Sequence, residues 1–140
     1  MLAAGGRPHI FAMLLRQLFD RESSTYTYVL ADEASRQAML VDTVRELVDR
    51  DLALVGELGL HLAWVLDTHV HADHVTGAGA IRDRTGAKTA ASALGAPCVD
   101  RPLADGDVLE VGALHVRVLG TPGHTHDGLC FLRSEEHTSE

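Results

Sequence analysis

Thr68-His69-Val70-His71-Ala72-Asp73-His74-Val75-Thr76-Gly77 is the stretch on which the reading of this chain turns. Three histidines and one aspartate fall within six consecutive positions, just past the apolar run Leu62–Leu66. In extended backbone, residues two apart point the same way, so His69 and His71 can address one point. A turn after them can bring Asp73 and His74 to a neighbouring point. Neutral imidazole and carboxylate suit a borderline divalent ion such as zinc, iron or manganese. The plain alternative is a solvated polar loop. Against it, a His-x-His-x-Asp-His match arises in roughly 0.003 of shuffled chains of this composition.

Downstream, Gly120-Thr121-Pro122-Gly123-His124-Thr125 reads as a tight turn after an apolar strand, with His124 projecting from it. Alone, His124 is an ordinary turn histidine; beside the first motif it becomes a candidate ligand. Around these two loops the pattern is β-rich. Leu14–Phe19, Thr25–Ala31 and Ala38–Val41 read as strands, the last ending at Asp42. Val44–Leu60 reads as a helix, with Leu47, Val48, Leu52, Val55 and Leu58 on one stripe and Gly59 as its stop. Leu62–Leu66 reads as a buried strand, Gly77–Arg84 as a short helix closed by Gly86, and Lys88–Ala91 as a strand. Val108–Val111 and Leu114–Leu119 read as a hairpin around Gly112-Ala113, and Leu129–Leu132 begins another strand. Strands in hairpins with helices intervening later predict a layered α/β domain.

The chain has 140 residues, long enough for one domain with a real core. With 12 basic against 20 acidic residues its formal charge is −8, which argues against a nucleic-acid backbone or an anionic membrane surface as partner. No window has the uncharged apolar length of a membrane span. Two cysteines, Cys98 and Cys130, are too few for a disulfide scaffold and lie beside no fixed base. Residues 1–12 hold no apolar signal core and read as an extension ahead of Met13, so the expected location is cytoplasmic. His61 and His115 read as helix-end and strand-face residues and His126 as a surface histidine. Trp64, Tyr26 and Tyr28 read as core or sheet-face residues.

His69-x-His71-x-Asp73-His74 followed by Gly123-His124 resembles the metallo-β-lactamase superfamily. Arg16-Gln17-Leu18-Phe19, Thr25-Tyr26-Thr27-Tyr28 and His71-Ala72-Asp73-His74-Val75-Thr76-Gly77 are similar to its persulfide dioxygenase branch, also called sulfur dioxygenase. The resemblance runs from about Met13 to Leu132. It implies the N-terminal portion of an αββα sandwich, with the metal at one edge between the sheets. It also implies one Fe(II) per site, held by two histidines and one aspartate. By position His69 and His124 are the two histidines. His71, Asp73 and His74 would then orient ligands and bound water through hydrogen bonds; in relatives with two Zn(II) per site they are direct ligands. Asp42, at a strand end near that edge, is a candidate for orienting the site, with an ordinary strand-end turn as the alternative. The implied reaction oxidises glutathione persulfide with O₂ to sulfite and glutathione.

The alternative within the superfamily is a hydroxyacylglutathione hydrolase of the glyoxalase II type, which uses two metals and a bridging hydroxide on a thioester. Those hydrolases usually carry a glycine pair where this chain has Thr76-Gly77. A further alternative is an inert metal-binding fragment. The expected domain is residues 13–132. Residues 133–140, Arg-Ser-Glu-Glu-His-Thr-Ser-Glu, read as the translation of a sequencing adapter, expected to break the strand begun at Leu129. The family's aspartate ligand has no counterpart from Leu129 onward. The 140 residues are therefore expected to be inactive, with an apolar sheet face left uncovered and a second copy of the chain as a candidate partner across it.

Overall fold

The computed structural model describes residues 13–68, 76–93 and 99–120, together with the backbone of 129–135. Strands β1 (Met13–Asp20) and β2 (Thr25–Asp32) form an antiparallel hairpin, and β3 (Gln37–Val41) pairs antiparallel with β2. Helix α1 (Val48–Glu57) then crosses to β4 (His61–Leu66), and α2 (Ala78–Thr85) crosses to β5 (Lys88–Ser92). Each crossover returns a strand parallel to the one before, and β6 (Arg101–Leu103) adds a further parallel strand. The six strands lie in chain order in one sheet. A second sheet of three antiparallel strands holds β7 (Val108–Val111), β8 (Leu114–Gly120) and β9 (Leu129–Glu135), with β8 in the middle.

The two-residue periodicity of the strands sorts the apolar side chains into two cores. Val29, Leu40 and Val65 point to the helices and pack with Val48, Val55 and Ile81. Their neighbours Leu30, Met39 and Leu66 point the other way, against Leu109, Leu114, Val116 and Val118 of the second sheet. The layers are thus helices, large sheet, small sheet, which is the mixed α/β architecture expected from the sequence. Among the described residues, no helix is long and apolar enough to cross a membrane.

The strands and the glycine stops fall where the pattern puts them, with five differences. The helix expected from Val44 begins at Val48, after a 3₁₀ turn at Arg45–Leu47. The reason is tertiary: Val44 is extended and bridges to Thr76, so its backbone is spent on pairing. Accordingly His61 does not end a helix; it opens β4 and is exposed. The strand Leu62–Leu66 is deeply buried only at Val65 and Leu66. Strand β6 was not expected, because three residues around Pro102 give no pattern. It sits at the sheet edge, where a residue lacking an N–H costs no ladder bond. Finally, β9 does not break at Arg133. Its pairing with β8 runs through Glu135, opposite Leu114, since ladder bonds are made by backbone whatever the side chains.

Beyond the apolar packing of the two sheets, a polar clasp joins the second to the first. Asp32, at the end of β2, accepts hydrogen bonds from the Ala113 N–H at 3.0 Å and the Ser35 hydroxyl at 2.8 Å. Gly112 turns the β7–β8 hairpin with φ +61°, and a Cβ there would run into Ser35 and Asp32. Burial raises the Asp32 carboxyl, but the Ala113 N–H and the other hydrogen bonds outweigh it and hold it below its ordinary value.

Candidate metal centre

Parallel strands end on the same side of a sheet, and ligands gather outside those carboxyl ends. Here β3 ends at Val41 and β4 at Leu66, and the next residues are Asp42 on one strand and Asp67-Thr68 on the other. Asp42 has φ +58°, a left-handed conformation that aspartate tolerates better than most residues. It is held there from three sides. Its N–H donates to the Leu66 carbonyl at 2.8 Å, and its own carbonyl accepts from the Thr27 hydroxyl at 2.8 Å. One carboxylate oxygen accepts the Thr68 N–H and the other the Thr68 hydroxyl, both at 2.7 Å. Asp42 therefore grips the residue immediately before His69.

The far end of the histidine segment is held as firmly. The Thr76 hydroxyl donates to the Asp67 carboxylate, 3.0 and 3.1 Å from its two oxygens, and accepts the Ala78 N–H at 3.2 Å. The Gly77 N–H donates to the Thr43 carbonyl at 3.3 Å. A Cβ on Gly77 would stand 2.7 Å from the Val48 side chain and 3.3 Å from the Val44 carbonyl, so only glycine lets this turn lie on α1. Beside the site a cavity of about 300 Å³ opens between the sheets, with Met39, Val41 and Val116 as its apolar wall and Asp42 and Thr68 at its polar end.

Of the sequence-predicted site residues, Asp42 is the one the structure describes, at the edge just set out. His69, His71, Asp73, His74 and His124 lie outside the described residues, as do His126 and the side chains of Cys98 and Cys130. Among the described residues no three histidines, cysteines or acidic residues group closely enough to hold a metal. His115 stands on β8, 3.9 Å from Glu110, as its strand-face reading expects. Sequence reasoning missed Thr27, Asp67, Thr68 and Thr76 as positioning groups. The available signal was a repeated pattern, an aspartate directly after an apolar strand in both Val41-Asp42 and Leu66-Asp67.

The chain belongs to the metallo-beta-lactamase superfamily, whose sequence model matches residues 20–138. Within it, the chain is similar to the mitochondrial persulfide dioxygenase ETHE1 of Bos taurus, at 41% identity over 124 residues, 88% of this chain and 49% of that protein. The crystal structure of ETHE1 from Myxococcus xanthus superposes with a TM-score of 0.84 at 55% identity, covering 86% of this chain and 53% of that one. The hydroxyacylglutathione hydrolase of Cereibacter sphaeroides is 37% identical over 112 residues, 78% of this chain and 43% of the hydrolase. The chain spans about half the length of the curated relatives it matches. The fold and superfamily inferred from the histidine motif are thereby established.

Proposed function

We propose that the protein is a persulfide dioxygenase acting on glutathione persulfide and O₂ with one Fe(II) per site. The observation that carries the reading is the 55% identity to ETHE1 from Myxococcus xanthus over 86% of this chain. The donor chemistry fits the ion: His69 and His124 offer neutral imidazoles, and a carboxylate completes a two-histidine, one-carboxylate face. Bound iron would supply adjacent open positions for a sulfur ligand and for O₂. His71, Asp73 and His74 would orient those ligands and nearby water. Asp42 and Thr68 fix where the segment bearing them leaves the sheet, and the apolar wall of Met39, Val41 and Val116 keeps the approach to that edge dry. The carboxylate ligand, the homodimer and the cytoplasmic location belong to this proposal. So do the domain limits 13–132 and the foreign origin of residues 133–140. The mammalian relatives are named as mitochondrial proteins.

An oxygen electrode tests it. The product of the full open reading frame should consume O₂ when glutathione persulfide is added and release sulfite. Thioester hydrolysis by a two-zinc protein without O₂ uptake would move the assignment to the hydroxyacylglutathione hydrolases.

A further inference from the structure

We propose that the cavity between the two sheets is the path by which O₂ reaches the site, an inference that rests on the persulfide dioxygenase reading above. The cavity, about 300 Å³, has a floor that crosses three strands of the large sheet. Leu15 of β1 pairs with Leu30 of β2, and Leu30 pairs with Met39 of β3. Beside them Tyr28 pairs with Val41, the residue before Asp42. Exposure falls along the floor, from 49% at Leu15 to 8% at Leu30 and 1% at Met39. Val116 of the second sheet lines the cavity opposite this floor. The space thus begins at the surface beside Leu15 and ends at Asp42 and Thr68, and the next residue in the chain is His69.

The lining selects what enters. Met13, Leu15, Leu30, Met39, Val41 and Val116 are apolar, and none of the described lining residues is Lys or Arg. The polar groups at the cavity are already engaged. The Asp42 carboxylate accepts the N–H and the hydroxyl of Thr68, and the Tyr28 hydroxyl accepts the Gln17 amide at 2.9 Å. Glutathione persulfide carries carboxylates, and an apolar wall ending in an aspartate offers them no counter-charge. O₂ is small, uncharged and apolar, so leaving water for such a space is favourable. The thioethers of Met13 and Met39 add polarisable surface for it to contact. Apolar cavities of about 150 Å³ take up xenon, a gas that probes the same property. The two substrates therefore have separate approaches, with O₂ entering along this floor.

Two measurements on the full-open-reading-frame product test this. The first is the response of methyl NMR signals to xenon pressure, which needs neither iron nor turnover. The Leu30, Met39 and Val116 methyl signals should shift and saturate. Leu30→Phe fills part of the space and should diminish the shifts at Met39 and Val116. The second is steady-state O₂ uptake with each substrate varied in turn. Leu30→Phe, and Leu15→Trp at the exposed entrance, should each raise the KM for O₂ severalfold while the KM for glutathione persulfide stays near the parent's. Leu30→Met keeps size and apolarity and should match the parent in both. Melting temperatures confirm that each variant folds. Xenon that shifts none of the three methyls, or a KM for O₂ unchanged in Leu15→Trp and Leu30→Phe, would overturn the path and leave the dioxygenase reading intact. Both KM values rising together would overturn it as well, since a general disturbance has no preference for O₂. A parent that consumes no O₂ would overturn both.

Discussion

The two faces of the large sheet are covered in different ways. On the outer face, Leu40 and Val65 lie beneath α1 and α2, the crossovers that connect β3 to β4 and β4 to β5. Each cover comes from the chain between the strands it covers. The inner face depends on a hairpin more than forty positions beyond β4, held by the Asp32–Ala113 clasp. Among the described residues it is covered only in part. Along β1 and β2 the same inner row continues past Leu30 to Leu15, Phe19 and Tyr26, which are 49%, 46% and 48% exposed. Phe19 and Tyr26 pair across the strands with ring centroids 4.8 Å apart, a contact made at the protein surface. The locally built layer buries Leu40 and Val65 fully, while the layer recruited from far along the chain leaves an apolar margin, and the cavity at Asp42 opens on that side.

Substitutions can break or sharpen this contrast. The largest effect is expected in the closed core. Leu40→Ala should cost about 2–5 kcal/mol in chemical denaturation, against less than about 0.5 kcal/mol for Leu15→Ala on the margin. Equal losses would mean that the margin is buried in solution. Next comes the clasp. Gly112→Ala adds a Cβ against Asp32 and Ser35 at a positive φ and should cost about 2 kcal/mol, loosening the second sheet first. Hydrogen exchange should rise in β7 and β8 while β3 and β4 stay protected.

A smaller loss, about 1–2 kcal/mol, is expected for Asp32→Asn. Because the folded-state pKa of Asp32 is lowered, its contribution is full above the unfolded-state pKa. That contribution is lost as the pH falls through the folded value. The Asn variant should therefore be less stable at neutral pH and show a flatter acid limb, read by melting temperature against pH. Smallest in stability is the double change Phe19→Ser/Tyr26→Ser, within about 1 kcal/mol of the parent. Its effect should appear in sedimentation instead, as reduced self-association of the 140-residue chain through the exposed margin.

Legibility follows the same division. Local signals located the hairpins, the left-handed stops at Gly59 and Gly86, and the parallel strands around α1 and α2. The start of α1 was misplaced because Val44 answers to Thr76, a partner thirty-two positions away that no helical stripe records. Asp51 was invisible for a related reason. It is fully buried on the helix, paired at 2.9 Å with Arg50, with burial pushing its carboxyl upward. Charge patterning alone places such a residue in water. In the site, the strand-end position of Asp42 was legible, while the ligands expected between His69 and His74 lie outside the described residues. Asp67 and Thr76 were not legible, because what matters in them is one hydroxyl proton and the carboxylate it finds nine positions away.

Iron stoichiometry is the most direct test of the central claim, that the segment leaving β4 carries a single-iron site. Elemental analysis of the anaerobically reconstituted full-open-reading-frame product should find about one iron per chain. The same analysis should find little iron in His69→Ala and His124→Ala, each folded by circular dichroism. Two tightly held zinc ions per chain, or iron unchanged in both variants, would contradict it.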